Sequence, residues 1–83
     1  MSELSSDEIK KIKEDVLFQT GVNIRRIRTA KKITQIELAA RIQSDRQYLY
    51  KIENGKVGVS VAKLATIAKA LEVPISDLVK FSF

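Results

Sequence analysis

The 83-residue chain contains no cysteine and no histidine, and both absences remove whole classes of function. Without cysteine there is no disulfide framework, no thiol catalysis and no zinc–thiolate site. Without histidine, the commonest general base and metal ligand is missing as well. Long apolar runs are also absent, so the sequence predicts neither a membrane span nor a secretory signal. We therefore expect a non-enzyme without catalytic residues, metal or cofactor.

What the chain does have is the composition of one small soluble domain. Apolar residues make up 45% and charged residues 30% of the sequence, a balance typical of globular rather than disordered chains. The chain is shorter than a typical domain of about 100–150 residues, so it can bury only one compact core. Because nothing in the sequence directs it elsewhere, we expect it in the cytoplasm.

The net charge of +5 is concentrated in the middle of the chain. Residues 1–20 carry three basic and five acidic residues, whereas residues 21–56 carry nine basic and three acidic ones. A localised basic region suits a polyanionic partner, because neutralising phosphates releases counterions. On charge alone, a solvated and salt-bridged helix face is an equally good interpretation.

Helical periodicity runs through nearly the whole sequence, and no stretch alternates convincingly with a period of two. Ser6 is expected to cap a helix over 6–19, and a second helical stretch covers 17–32. Both stretches share one apolar stripe, which comprises Ile9, Ile12, Val16, Ile24 and Ile27. The remaining surface is expected to hold Arg25, Arg26 and Arg28. Gly21 costs about 1 kcal/mol relative to alanine, which leaves open one long helix or two helices with a kink.

Two short helices in the middle of the chain are predicted to form a helix-turn-helix. Thr34 and Glu37 form a capping box at the start of a helix over 35–42. After a short polar break, Asp45 is a suitable N-cap for a second helix over 46–53. Such a pair presents the outer face of its second helix to a major groove about 12 Å wide.

The faces of these two helices follow from the spacing of their apolar residues. Five residues are expected in the core: Leu38, Ala39, Ile42, Leu49 and Ile52. The outer face of the second helix then carries four hydrogen-bonding side chains: Arg46, Gln47, Tyr50 and Lys51.

Further helical segments are predicted towards the C-terminus. A helix after Ser60 is indicated by an apolar stripe that comprises Val61, Leu64, Ile67, Ala68 and Leu71. Pro74 is well placed to start a short final helix through Leu78. Five or six helices without strands predict a compact all-α domain.

The residues of these segments resemble the phage repressor and Cro type of helix-turn-helix, often called the XRE family. The resemblance is carried by TQIELAARI (34–42), DRQYLYKIENGK (45–56), SVAKLATIAKALEVP (60–74) and, for the family's first helix, IRRIR (24–28). It implies a five-helix lambda-repressor-like DNA-binding domain over 17–80. An extra or extended N-terminal helix over 1–16 and a C-terminal tail over 81–83 complete the chain.

The resemblance also implies roles for individual residues. Base edges would be contacted by the outer face of the recognition helix: Arg46, Gln47, Tyr50 and Lys51. Arginine pairs well with guanine O6 and N7, and glutamine with adenine N6 and N7. The DNA backbone would be contacted by a second set: Thr34, Gln35, Asp45, Tyr48, Asn54 and Lys56. Gln35 would in addition brace the recognition helix.

Three positions depart from the family's pattern. Gln43 stands where the turn usually has glycine, and Ser44 where an apolar neighbour is usual, so we expect a reshaped turn. Asp45 replaces a common serine or threonine, and its carboxylate repels phosphate unless it accepts from a cytosine amino group.

Glu53 is expected to form an internal salt bridge with an arginine of the first helix.

We therefore expect a bacterial or phage transcriptional regulator, most simply a repressor that occupies a double-stranded DNA operator as a homodimer. Two regions outside the motif are candidate dimer contacts: the apolar stripe of the N-terminal helix over 6–16, and the C-terminal residues Leu78, Phe81 and Phe83, where two aromatic side chains lie at an end that usually frays. Packing of these residues on their own domain is the simpler alternative.

Two other functions are compatible with the same residues. The first is a protein-interaction or antitoxin-like module of this fold with little or no autonomous DNA binding. The second is an amphipathic membrane-surface protein that uses the basic middle of the chain. The short, capped helices argue for a packed domain and against the membrane alternative, so we expect no membrane partner.

Overall fold

The computed structural model describes residues 3–83, which form four α-helices and one 3-10 turn. The elements are α1 (Ser6–Ala30), α2 (Gln35–Arg41), α3 (Arg46–Glu53), α4 (Val61–Leu71) and the 3-10 turn Ile75–Asp77. No strand occurs within 3–83, so the predicted all-α class is confirmed. No helix in this part of the chain is long and apolar enough to cross a membrane.

The predicted count of five helices is wrong, because the segment after Pro74 makes only a single 3-10 turn. Its two hydrogen bonds join residues three apart, from the Asp77 N–H to the Pro74 carbonyl and from the Leu78 N–H to the Ile75 carbonyl. The Leu78 carbonyl then accepts from the Asn23 side chain at 3.1 Å. A long-range contact therefore takes the place of the next helical turn.

α1 is one continuous helix of 25 residues, which settles the alternative that the sequence left open. Its N-cap is Ser5 rather than Ser6, and Ser5 forms a capping box with Glu8. Gly21 does not break the helix but serves its packing, since a Cβ at this position would lie 2.7 Å from the Ile52 carbonyl oxygen. The backbone at the end of α3 thus lies directly on α1, and only glycine permits this approach.

The remaining helices start at the caps predicted for them. Thr34 caps α2, Asp45 caps α3 and Ser60 caps α4, each by accepting a backbone N–H of the first turn. At the turn between α2 and α3, Gln43 adopts the left-handed conformation that glycine favours, with φ at +54°. Such a conformation costs a non-glycine residue about 1 kcal/mol.

The core lies where the four helices meet. Its largest fully buried side chains are Ile24, Leu38, Leu49, Ile52, Ile67, Leu71 and Leu78. All five core residues predicted from α2 and α3 are buried. Val61 was predicted on the apolar stripe of α4 but is 74% exposed. As the first residue of the helix, it lies about 70° around the axis from the centre of that stripe.

The N-terminal half of α1 projects from the domain, and residues 3–14 are all exposed. The C-terminal tail returns along the middle of α1. The Gln19 side chain forms a reciprocal pair of hydrogen bonds with the backbone of Ser82, both at 2.7 Å. Asn23 Nδ2 donates to the carbonyls of Leu78 and Lys80. Side-chain amides of α1 therefore fix a tail that would otherwise fray.

Candidate nucleic-acid interface

The outer face of α3 carries the side chains that the sequence predicted for base contact. All four are exposed: Arg46, Gln47, Tyr50 and Lys51. The opposite face of the helix is anchored by Leu49 and Ile52, which are 0% and 1% exposed. The core therefore fixes the rotation of α3 about its own axis, and the four polar side chains point away from the domain.

A buried polar network ties α3 to α1 and α2. Arg28 donates to the Glu53 carboxylate through Nε at 2.6 Å and through Nη2 at 2.9 Å, and its Nη1 donates to the Ile33 carbonyl at 2.9 Å. Gln35 Nε2 donates to the same carboxylate at 3.0 Å. The predicted salt bridge of Glu53 with an arginine of the first helix is confirmed, and Gln35 makes the contact with α3 that a bracing role requires. The expectation that Arg28 lies on the solvated surface is wrong, because it is 8% exposed.

Two predicted backbone-contact residues already have structural roles as N-caps. Thr34 Oγ1 accepts from the Glu37 N–H at 3.0 Å, and Asp45 Oδ1 accepts from the Tyr48 N–H at 2.7 Å. Both residues are exposed, so their side chains lie on the surface while they hold the first turns of α2 and α3.

Two further exposed side chains, Asn54 and Lys56, lie beside Tyr50 where α3 ends. Lys56 Nζ lies 5.9 Å from the centre of the Tyr50 ring, a cation–π distance. Asn54 Nδ2 donates to the Tyr50 carbonyl at 2.9 Å. Gly55, with φ at +68°, ends the helix and turns the chain. Two of the candidate backbone-contact residues, Asn54 and Lys56, therefore adjoin the candidate base-contact residue Tyr50.

Tyr48 does not share this face. Its side chain is half-buried against the core, and Lys63 Nζ lies 5.6 Å from its ring centre. The same Lys63 nitrogen donates to Ser44 Oγ in the turn at 3.3 Å. Tyr48 therefore faces α4 and the turn. Sequence reasoning could not find this, because the contact depends on how α4 crosses α3.

The three candidate dimer-interface residues have different surroundings. Leu78 is 0% exposed in its own core, so its side chain offers no surface to a second chain, and we withdraw it from the interface. Phe81 is half-buried, whereas Phe83 is 75% exposed. The rings of Phe81 and Phe83 are 6.1 Å apart, and Phe83 lines a shallow groove with Ile12 of α1.

A second groove, of 490 Å³, lies beside the end of α3 and was not predicted. It is lined by Phe18, Val22, Arg25, Arg26, Thr29, Glu53 and Asn54. Phe18 is 64% exposed and Val22 is 39% exposed. Phe18 and Val22 are four residues apart and lie off the main apolar stripe of α1. This spacing in the sequence could have predicted a second apolar strip on this face of the helix.

Comparison with known proteins places this arrangement in a family. Residues 24–78 match a family model described as helix-turn-helix. The control protein C.MunI of Mycoplasma sp is 35% identical over 65 residues, which is 77% of this chain and 88% of that protein. The immunity repressor protein of Bacillus phage phi105 is 36% identical over 59 residues, which is 71% of this chain but 41% of the repressor.

Solved structures of similar proteins share the fold. The restriction-modification controller protein C.AhdI from Aeromonas hydrophila has a TM-score of 0.72 at 34% identity, covering 75% of this chain and 94% of that one. The controller protein C.Esp1396I, solved as a tetramer with its natural 35-base-pair operator, has a TM-score of 0.67 at 30% identity, covering 78% and 96%. A hypothetical transcription factor from Neisseria has a TM-score of 0.77 at 25% identity, covering 98% and 86%.

Two short helices joined by a tight turn, the second with an exposed polar outer face, are the arrangement of the helix-turn-helix class of DNA-binding domains. This chain belongs to the helix-turn-helix family, in its XRE or phage-repressor type. The resemblance seen in the sequence is thereby confirmed. The family match begins at residue 24, so the N-terminal half of α1 lies outside it.

Proposed function

We propose that this protein is a transcriptional regulator that binds a double-stranded DNA operator as a dimer, with α3 in the major groove. The observation that carries the proposal is the outer face of α3, where four exposed hydrogen-bonding side chains stand on a helix that the core and the Arg28–Glu53 pair hold in place. The net charge of the surrounding segment, nine basic against three acidic residues over 21–56, suits the phosphate backbone.

Base recognition is assigned to Arg46, Gln47, Tyr50 and Lys51. Arg46 and Gln47 are the first two residues of α3, and the N-terminal end of a recognition helix is the part that reaches base edges. Arg46 suits guanine O6 and N7, and Gln47 suits adenine N6 and N7. Lys51 lies more than one turn further along, and Tyr50 offers its ring to a thymine methyl group or its hydroxyl to a phosphate.

Backbone contacts are assigned to Thr34, Gln35, Asn54 and Lys56, which lie at the start of α2 and beyond the end of α3. These residues fix the register of the domain on the duplex and carry no sequence preference. Asp45 and Tyr48 leave this set. The Asp45 carboxylate caps α3 and repels phosphate, and the Tyr48 ring packs towards α4.

The proposed biological role is repression. A dimer that covers an operator excludes polymerase by occupancy, without a catalytic step or a cofactor. The relatives support this proposal, since one is an immunity repressor and another was solved as a tetramer with its operator. We assign DNA binding to 17–80, with an N-terminal extension over 1–16, a tail over 81–83 and the cytoplasm as the place of action.

Selection from a random duplex library at about physiological ionic strength tests this proposal, because that salt concentration suppresses non-specific phosphate binding. We expect enrichment of a two-fold symmetric motif whose half-sites are about 10 base pairs apart. An unenriched pool from folded protein would contradict the proposal.

One observation favours a second candidate function, the binding of a protein partner by the same domain. The groove at Phe18 and Val22 combines exposed apolar side chains with Arg25 and Arg26. Such a mixture of apolar and arginine surface is typical of protein interfaces. If the duplex selection stays flat, Phe18→Ala and Arg26→Ala become the variants with which to search for that partner.

A further inference from the structure

We propose that the N-terminal half of α1 is a pairing surface for a second copy of this chain. The two helices lie parallel, and Glu8 of each copy faces Lys13 of the other. This inference rests on the dimer of the proposed function and names its interface, but it does not depend on DNA binding.

The pairing surface has an apolar seam of two helical turns. Ile9, Ile12 and Val16 are spaced by three and then four residues, as the a, d and a positions of a coiled-coil heptad are. Ile9 is 43% exposed and Ile12 is 39% exposed, because the domain does not extend beneath this part of the helix. Val16 is half-buried at the point where the seam meets the domain.

The projecting helix is built to stay helical, although a free helix of this length is marginal in water. Ser5 and Glu8 close its first turn with a capping box. Leu4 and Ile9 occupy the two positions of a hydrophobic staple. Phe83 lies beside Ile12 and enlarges the apolar surface. A helix reinforced at its free end and apolar along one side suits a second helix as its partner.

The charges beside the seam select a second copy and its orientation. Glu8 and Asp15 occupy g positions on one flank, and Lys13 occupies the e position on the other. In a parallel pair, a g residue faces the e residue five positions further along the partner, which places Glu8 against Lys13. An antiparallel pair would place like-charged flanks together.

The overall charge of the surface also permits self-association. Residues 6–16 carry four acidic and three basic residues, whereas residues 21–56 carry nine basic and three acidic ones. Two copies that meet at 6–16 therefore keep their strongly basic regions apart.

The tail limits the seam to the first half of α1. Beyond Val16, the backbone of residues 78–82 occupies this side of the helix through its hydrogen bonds to Gln19 and Asn23. The two helices must diverge there. The seam uses none of the four residues on the outer face of α3.

Disulfide trapping tests the pairing directly, because the natural chain has no cysteine. In a parallel pair, two cysteines from Ile9→Cys adjoin and form a covalent dimer under mild oxidation in the absence of DNA, whereas those from Lys10→Cys on the outer face do not. Mixing Ile9→Cys with Val16→Cys gives only the two homodimers if the helices are parallel. A mixed 9–16 product would overturn the orientation, and no crosslink from folded Ile9→Cys protein would overturn the interface.

Sedimentation equilibrium without DNA tests the charge pairing. Lys13→Glu turns two attractive contacts per dimer into repulsive ones, so we expect self-association about tenfold weaker. Lys10→Glu makes the same change of charge on the outer face and should leave it unchanged. Equal weakening by both variants, or a wild-type monomer at all concentrations, would overturn the proposal. If the pairing fails these tests but the protein still enriches a symmetric motif from the duplex library, only the proposed interface is wrong. If the crosslink forms but no motif is enriched, the DNA-binding function alone is contradicted.

Discussion

The two halves of α1 share one apolar periodicity but have different surroundings. The C-terminal half buries Ile24 and Arg28 within the domain, whereas the N-terminal half leaves Ile9 and Ile12 exposed. Periodicity indicates which face of a helix is apolar and does not show what covers it. What separates the halves is Gly21, which lets the end of α3 lie directly on the helix. The apolar face of the C-terminal half is buried by the rest of the domain. We infer that the apolar face of the N-terminal half is buried by a second copy of the chain.

The largest effect is expected from removing the buried ion pair, which distinguishes the covered half of α1. Glu53→Ala leaves Arg28 buried without its carboxylate and also frees Gln35, so the free energy of unfolding should fall by about 3–5 kcal/mol. Urea denaturation measures this loss. Asp77→Ala, which removes the exposed pair with Lys80, is the control and should cost less than about 1 kcal/mol. Similar small losses for both variants would show that the network does not hold α3.

A smaller loss is expected when the helix contact itself is blocked. Gly21→Ala raises helix propensity by about 1 kcal/mol but drives a methyl group into the backbone of α3, so we expect a net loss of about 1–3 kcal/mol. Gly58→Ala is the matched control, because a Cβ at residue 58 meets nothing within 4 Å. Thermal unfolding of both variants decides the point, and a Gly21→Ala protein more stable than wild type would refute the close approach.

A substitution in the turn between α2 and α3 is expected to stabilise the protein. Gln43→Gly relieves a left-handed backbone conformation, with φ at +54°, and should raise the unfolding free energy by up to about 1 kcal/mol. Gln47→Gly, within the recognition helix, should lower it by about 1 kcal/mol. The midpoint of urea unfolding reports both changes. A destabilised Gln43→Gly protein would mean that the glutamine makes a compensating contact.

The smallest effect is expected at the exposed end of α1. The backbone N–H of Ser5, and secondly its side chain, hold the pKa of Glu8 below its ordinary value. The cap therefore contributes its full stability to the helix at pH values above the pKa that Glu8 has in the unfolded state. That stability is lost as the pH falls through the lower pKa that Glu8 has in the folded state. Amide exchange at residues 6–9 should accelerate over that window. Glu8→Gln keeps a capping side chain without a titrating group, so its exchange should lack this step once intrinsic rates are allowed for.

The same comparison shows how far sequence reasoning reaches. The caps of α2, α3 and α4 and the core faces of α2 and α3 were predicted correctly, because both depend on residues within a few positions of each other. The 3-10 turn was not, and the residue that follows it, Leu78, is bound by Asn23 from 55 residues away. The run IRRIR likewise does not indicate that Arg28 is buried while Arg25 and Arg26 are exposed. Which of the three arginines is buried depends on where α3 packs against α1.

In the candidate site, too, the features set by nearby residues could be predicted from the sequence and those set by distant residues could not. The outer face of α3 could be predicted, because Leu49 and Ile52 determine which residues point away from the core. The surroundings of Tyr48 and Leu78 could not, because Lys63 and the buried side chains of α4 reach them only in the folded chain.

The most direct test of the central claim compares the affinity of variants for the selected duplex and for a scrambled one at the same salt concentration. Arg46→Ala and Gln47→Ala should each lose about 1–3 kcal/mol of binding free energy on the selected duplex and much less on the scrambled one. Lys56→Ala should weaken binding to both duplexes alike. Lys69→Ala, which removes one positive charge at the far end of α4, should change little. Equal losses on the two duplexes for Arg46→Ala would contradict base recognition by α3.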